Sequence, residues 1–93
     1  MKVLSIVAIL TAALSVSAKS CNKGGIYCGQ SLLNKGNYEN HIKEVLSSEG
    51  KPTDQTHVLN SLFNCIESGG ITYVEYCSKG CGGVGSTAAD YCL

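Results

Sequence analysis

The segment LFNCIESGGITYVEYC, residues 62–77, decides the fold of this chain. Its two halves are rich in β-branched, aromatic and cysteine side chains, and Ser68 to Gly70 interrupt the pattern. Such a composition is typical of two strands that meet at a tight turn. A two-residue turn at Gly69-Gly70 supplies the positive φ angles that tight hairpins require. The segment therefore predicts an antiparallel hairpin.

The predicted register gives the hairpin one apolar face and one mixed face. The apolar face pairs Phe63 with Tyr76 and Cys65 with Val74. The mixed face combines two apolar and two polar side chains: Ile66, Tyr73, Asn64 and Glu75. This mixed face is a candidate contact surface, unless the segment Ile26-Tyr27-Cys28 pairs with a hairpin edge and covers it. We favour the second possibility, in which residues 26–28 pair with the hairpin and cover the mixed face.

Residues 37–48 predict an amphipathic helix with one buried face. Its apolar stripe recurs at helical spacing: Tyr38, Ile42, Val45 and Leu46. Asn37 can cap the first free amide groups, and Gly50 can end the helix in a left-handed conformation. The stripe can cover the apolar face of the hairpin, so the sequence predicts an α+β fold in which one main helix packs on an antiparallel sheet.

Residues 1–18 have the pattern of a removable secretion signal. Lys2 gives a positive start, an apolar run from Val3 to Leu14 follows, and small residues precede the expected cleavage after Ala18. A membrane anchor is the alternative, but it needs about 20 apolar residues and this run is shorter. We therefore expect a secreted protein without a membrane span, folded as a single disulfide-stabilised domain of residues 19–93.

The cysteines behind this signal predict three disulfide bridges: Cys21, Cys28, Cys65, Cys77, Cys81 and Cys92. Zinc is the competing use, but a structural zinc site usually has two close cysteine pairs, and only Cys77 and Cys81 are close here. A Cys77–Cys81 bridge closes too short a loop, and the predicted register turns Cys65 and Cys77 to opposite faces. Most of the 15 pairings stay open. Among them, Cys81–Cys92 would tie the Gly-rich tail and Cys28–Cys65 would tie the first segment to the sheet.

Composition and motifs argue against nucleic-acid binding and against catalysis. Without Lys2 the chain has a net charge of −1 and no arginine, so it lacks a basic patch for phosphates. The two histidines, His41 and His57, fit boundary or surface positions better than the position of a catalytic base. The Gly-dense stretch 80–87 lacks the lysine of a phosphate-binding loop and predicts a loop held between two cysteines. A non-enzymatic protein without cofactor or metal is expected.

The order of cysteine, tyrosine and glycine residues along the chain resembles that of a known group of proteins. The residues that carry the resemblance are Tyr27-Cys28-Gly29, Leu32-Leu33, Gly36-Asn37-Tyr38, Ile42, Leu62-Phe63 with Cys65, Tyr76-Cys77 with Gly80-Cys81, and Asp90-Tyr91-Cys92. They resemble small cysteine-rich secreted proteins of filamentous fungi, especially plant-associated ones. The resemblance implies an effector, released into the host apoplast or cytoplasm, that binds a host protein or cell-surface component.

Two alternatives imply other targets. Size and architecture are similar, more weakly, to those of fungal and viral killer toxins, which damage competing cells, and this resemblance implies a toxin-like or antimicrobial protein. The five tyrosines also allow attachment to cell-wall glycans, because tyrosine rings stack on sugars. All three functions depend on binding, and they differ in the target that is bound.

Overall fold

Three α-helices and two antiparallel sheets make up residues 21–93, the part of the chain described by the structure, a computed structural model. The elements are β1 (Ile26–Cys28), α1 (Gly29–Lys35), α2 (Glu39–Ser48), α3 (Gln55–Asn60), β2 (Ser61–Cys65), β3 (Ile71–Tyr76), β4 (Cys81–Gly82) and β5 (Tyr91–Cys92). The expected α+β fold is confirmed. The predicted secretion signal, residues 1–18, lies outside the described residues. None of the helices in residues 21–93 has the length and apolar character needed to cross a bilayer.

The predicted hairpin is present, but the predicted register is wrong. Strands β2 and β3 pair antiparallel, and Phe63 lies opposite Tyr73 instead of Tyr76. Cys65 lies opposite Ile71. The ring of Tyr73 meets that of Phe63 edge to face, with 6.3 Å between their centroids. Tyr73 therefore belongs to the face that carries Phe63, whereas the sequence placed it on the opposite face.

Two local features cause this shift in register. The turn centres on Ser68 and Gly69, whose φ angles are 60° and 79°, so it lies one residue before the predicted glycine pair. The Gly70 N–H closes the turn by donating to the carbonyl oxygen of Glu67 at 3.1 Å. A β-bulge then leaves Val74 without a partner in β2 and 43% exposed. Serine seldom adopts a positive φ, so the sequence favoured a turn on the two glycines.

The sheet has the order β1-β2-β3, and each of its faces packs against other parts of the domain. The expected strand at residues 26–28 pairs with the edge of β2. One face packs against the helices in the main core: Leu32, Tyr38, Ile42, Leu46, Val58, Phe63, Cys65 and Ile71. The other face packs against the C-terminal segment through a smaller cluster: Cys28, Leu62 and Cys77. Cysteines of two disulfides therefore make up most of the second cluster, whereas the main core combines aliphatic and aromatic packing with one disulfide, Cys21–Cys65.

Helix α2 confirms the predicted amphipathic helix, and its apolar stripe packs in or against the main core. The helix begins later than predicted, with Tyr38 at the N-cap, and the Asn37 side chain does not cap it. Its end follows the prediction, because Gly50 has a φ of 71° and its N–H bonds to the carbonyl oxygen three residues earlier. The Lys51 N–H also donates to the carbonyl oxygen of Leu46 at 2.9 Å, which completes a Schellman motif.

The three predicted disulfides are confirmed, and they are Cys21–Cys65, Cys28–Cys81 and Cys77–Cys92. The suggested pairs Cys28–Cys65 and Cys81–Cys92 are wrong. Cys28 and Cys65 lie on opposite faces of the sheet, so their sulfur atoms cannot meet. Cys81 and Cys92 are neighbours in the β4–β5 pair, but each bonds to a cysteine outside that pair. Two bridges therefore tie the C-terminal segment to the rest of the domain.

Ser61 is a buried polar residue at the start of β2. It is fully buried, and within residues 21–93 its Oγ is the one buried side-chain oxygen without a hydrogen-bond partner. Burying an unpaired hydroxyl costs free energy, so we expect Ser61→Ala to keep or raise the free energy of unfolding, by up to about 1 kcal/mol in urea denaturation. Ser31→Ala, which removes a bonded hydroxyl, is the control and should lower it. A clear loss in Ser61→Ala would contradict the expectation.

Candidate functional site

A groove with both polar and apolar lining lies between three segments that are distant in sequence. Its walls are residues 22–27, helix α1, and part of the C-terminal loop (residues 83–90) that connects β4 to β5. Its volume is about 400 Å³. That size falls in the range of small-molecule sites, about 300–1,000 Å³. The groove is therefore large enough to enclose part of a ligand.

Asp90 holds the walls of the groove together. It is 7% exposed, and its backbone N–H donates to the carbonyl oxygen of Ile26 at 3.1 Å. Its Oδ2 accepts hydrogen bonds from the Cys28 N–H at 2.8 Å and from Ser31 Oγ at 2.6 Å. Hydrogen bonds to an ionised group are shorter and stronger than neutral ones. The carboxylate therefore fixes the C-terminal loop to β1 and to the first turn of α1.

The remaining side chains give the groove a mixed and weakly charged character. The Tyr27 hydroxyl accepts a hydrogen bond from the Asn22 N–H at 2.9 Å, which holds the tyrosine ring in the wall. Lys35 Nζ lies 5.8 Å from the centroid of that ring, within cation–π distance. The exposed Asn34 side chain accepts from Gln30 Nε2 at 3.2 Å. The groove thus offers amide, hydroxyl and aromatic groups.

The chain matches no known family model, no curated protein and no solved structure. The side chains of the groove can bind by hydrogen bonding and by contact with a ring. Neither of the two histidines lines it, and its one carboxylate is already engaged in the structure of the walls.

Sequence reasoning missed Asp90 and the groove that it holds. The sequence correctly predicted a loop held between Cys81 and Cys92. It gave no reason to place residue 90 beside residue 28. An acidic residue in a short tail usually faces solvent. A weak signal was present, since Asp90 is the one charged residue among residues 80–93.

The four residues of the predicted contact surface, on the mixed face of the hairpin, lie in different parts of the structure. Asn64 pairs with Ile26 of β1 and is half-buried, while Glu75 is exposed in β3. Ile66 stands at the turn with 43% of its surface exposed. Tyr73 packs against the main core on the other face of the sheet. The four residues do not form one surface, and a role for any of them in binding stays a prediction.

His57 lies in an ordered cluster away from the groove. Its Nδ1 is 2.6 Å from Asp54 Oδ1, and its ring stacks on Tyr76 with 4.0 Å between centroids. Asp54 also caps α3 by accepting from the His57 N–H at 3.3 Å. Hydrogen bonding from the His57 side chain lowers the pKa of Asp54 below its ordinary value of 3.8. The second histidine, His41, stacks on Tyr38. Both histidine rings are therefore held by contacts with neighbouring side chains of the fold.

The lowered pKa of Asp54 predicts a small acid-dependent loss of stability. Folding favours the ionised carboxylate, so its contribution is complete above about pH 3.8 and is lost as the pH falls through the lower folded-state pKa. Asp54→Asn keeps a capping oxygen but cannot titrate. Between about pH 6 and about pH 3, its thermal midpoint should fall less than that of the wild type. Thr53→Ala is the local control, and equal falls in Asp54→Asn and wild type would contradict the prediction.

The hydrogen bonds of Asp90 predict a clear effect on stability. Asp90→Ala leaves the Cys28 N–H and the Ser31 hydroxyl without their acceptor, so the free energy of unfolding should fall by about 2 kcal/mol in urea denaturation. Asp90→Asn keeps one acceptor oxygen, so its free energy of unfolding should fall less. Equal losses in the two variants would show that the carboxylate side chain is not the tie between the walls.

Proposed function

We propose that the protein is secreted and acts outside its producing cell by binding, without catalysis, as an effector of the fungal type that the sequence resembles. Its target is then a host protein or a host cell-surface component. Three disulfides in a domain of this size are typical of extracellular proteins and support secretion. The groove is the observation that best supports binding.

The construction of the groove favours recognition over a structural role alone. Its walls come from both ends of the described chain, and the Cys28–Cys81 bridge and the Asp90 hydrogen bonds hold those ends together. A site that is rigid before the ligand arrives loses less entropy on binding. Several groove positions also carry exposed polar side chains, among them Asn22, Asn34 and Thr87. Such side chains can change partners from water to a ligand without unfolding.

The test is capture of a target by the complete, oxidised protein from extracellular fluid of a host plant. A specific target should be retained by the wild type and lost from Asn34→Ala, which changes the groove. Asn40→Ala changes an exposed asparagine on α2, outside the groove, and should retain the target. Retention by both variants would reject the groove as the binding site. Absence of any target, together with growth inhibition of fungi or bacteria, would favour the toxin-like alternative.

A further inference from the structure

We propose that the groove between residues 22–27, helix α1 and the C-terminal loop binds a neutral oligosaccharide. This inference rests on the proposed binding function and names the chemical class of the ligand. Three properties of the groove lead to it: the balance of charge, the kinds of hydrogen-bonding groups, and the half-buried ring of Tyr27 that lines it.

The charge of the groove favours an uncharged ligand. Lys35 and Asp90 are the charged side chains that line it, and they have opposite signs. Each is already engaged, since Lys35 lies over the Tyr27 ring and Asp90 Oδ2 accepts two hydrogen bonds. An anionic ligand would face the carboxylate of Asp90, and a cationic ligand would face the ammonium group of Lys35. Binding of a charged ligand would leave one of these repulsions in place.

The hydrogen-bonding groups suit a ligand with many hydroxyls. The Asn22 and Asn34 amides and the Thr87 hydroxyl are exposed and offer both donors and acceptors. A sugar hydroxyl also donates and accepts, so each can pair with either kind of group. Ser86 has a different task, because its Oγ donates to the carbonyl oxygen of Gly83 at 2.9 Å and accepts from the Ala88 N–H at 3.2 Å. It shapes the loop that presents Thr87.

The ring of Tyr27 is half-buried, and it lines the groove. Gly25 lies beside this ring, and a Cβ at Gly25 would approach Tyr27 Cε1 to 2.7 Å. Glycine therefore keeps a methyl group away from the edge of the ring. Ala88 and Ala89 add small apolar contacts from the opposite wall. Aromatic and small apolar surface can contact the C–H groups of a sugar, which the polar groups of the groove cannot satisfy.

The direct test titrates the complete, oxidised protein with chitohexaose, laminarihexaose and cellohexaose, using calorimetry and amide chemical shifts. At least one should bind, with the largest shifts in residues 22–35 and 85–90. Chitohexaose or laminarihexaose binding points to a fungal wall source, and cellohexaose binding points to a plant wall source. Asn34→Ala and Thr87→Ala should each weaken binding about three- to tenfold, while Asn40→Ala should bind as the wild type does. Unchanged amide spectra verify that each variant is folded.

Two results would overturn the oligosaccharide proposal. One is absence of binding by all three sugars up to about 10 mM, and the other is binding that shifts residues outside the groove or is unchanged in Asn34→Ala. The proposed binding function is tested separately by capture from host fluid. If a host protein is captured through the groove while no sugar binds, the binding function stands and the oligosaccharide is rejected. If neither is observed, both proposals fail.

Discussion

Gly29→Ala is expected to lower the free energy of unfolding by at least about 3 kcal/mol, or to prevent folding. Gly29 is buried at the start of α1, where this helix crosses α3. A Cβ there would overlap the carbonyl oxygen of Val58 and lie 2.9 Å from its carbonyl carbon. Both atoms belong to the backbone, so no change of rotamer can relieve the overlap. The two helices would have to separate, which would also displace the wall of the groove.

Urea denaturation of Gly29→Ala beside Gly24→Ala tests this expectation. Gly24 has a φ of 88° and open space around its Cβ position, so alanine there meets only the cost of a left-handed conformation, about 1–2 kcal/mol. The larger loss should therefore occur at Gly29. A loss at Gly24 that equals or exceeds the loss at Gly29 would show that the helix crossing tolerates a methyl group.

Removing the Cys28–Cys81 bridge by a double change to alanine should cost about 4 kcal/mol of unfolding free energy. This bridge links residues 53 positions apart, so it restricts the unfolded chain strongly. Small domains are usually stable by only about 5–15 kcal/mol, so the variant should be close to unfolding at room temperature. The bridge also ties β1 to the C-terminal segment, and its loss should loosen two walls of the groove together.

The Cys77–Cys92 bridge provides the control, because it links residues only 15 positions apart. Its double alanine variant should lose about 3 kcal/mol, less than the Cys28–Cys81 variant. Denaturation midpoints of the two oxidised variants, with the remaining bridges verified by peptide mapping, measure the difference. A greater loss from the shorter loop would mean that restriction of the unfolded chain does not set the order of the two effects.

The elements that local patterns specify could be predicted from the sequence. The stripe of α2 repeats at helical spacing and ends at a glycine, so both the helix and its end were predictable. The hairpin was predictable from its strand formers and its turn. Its register was not, because Ser68 takes a positive φ and a bulge at Val74 shifts the pairing. The alternation of apolar and polar residues along a strand predicts neither the positive φ nor the bulge.

The candidate site depended on contacts that no local pattern specifies. Asp90 bonds to Cys28 across 62 positions of the chain, and this contact helps to hold two walls of the groove together. The disulfide pairs likewise join residues that are 44, 53 and 15 positions apart. Once the strands are known, opposite faces exclude Cys28–Cys65, but the sequence alone does not tell which side of a short strand each cysteine occupies. Sequence therefore predicted the parts of this fold better than the way in which they are joined.

The C-terminal loop is anchored at its base and open at its tip. At its base are the β4–β5 pair, two disulfides and the buried Asp90, while residues 84–89 are all exposed. Substitutions at these six positions can alter one wall of the groove and leave the core untouched. Under the proposed binding function, selection could therefore change the ligand of the groove without a matching loss of stability. We would then expect sequence variation among relatives to concentrate in this loop.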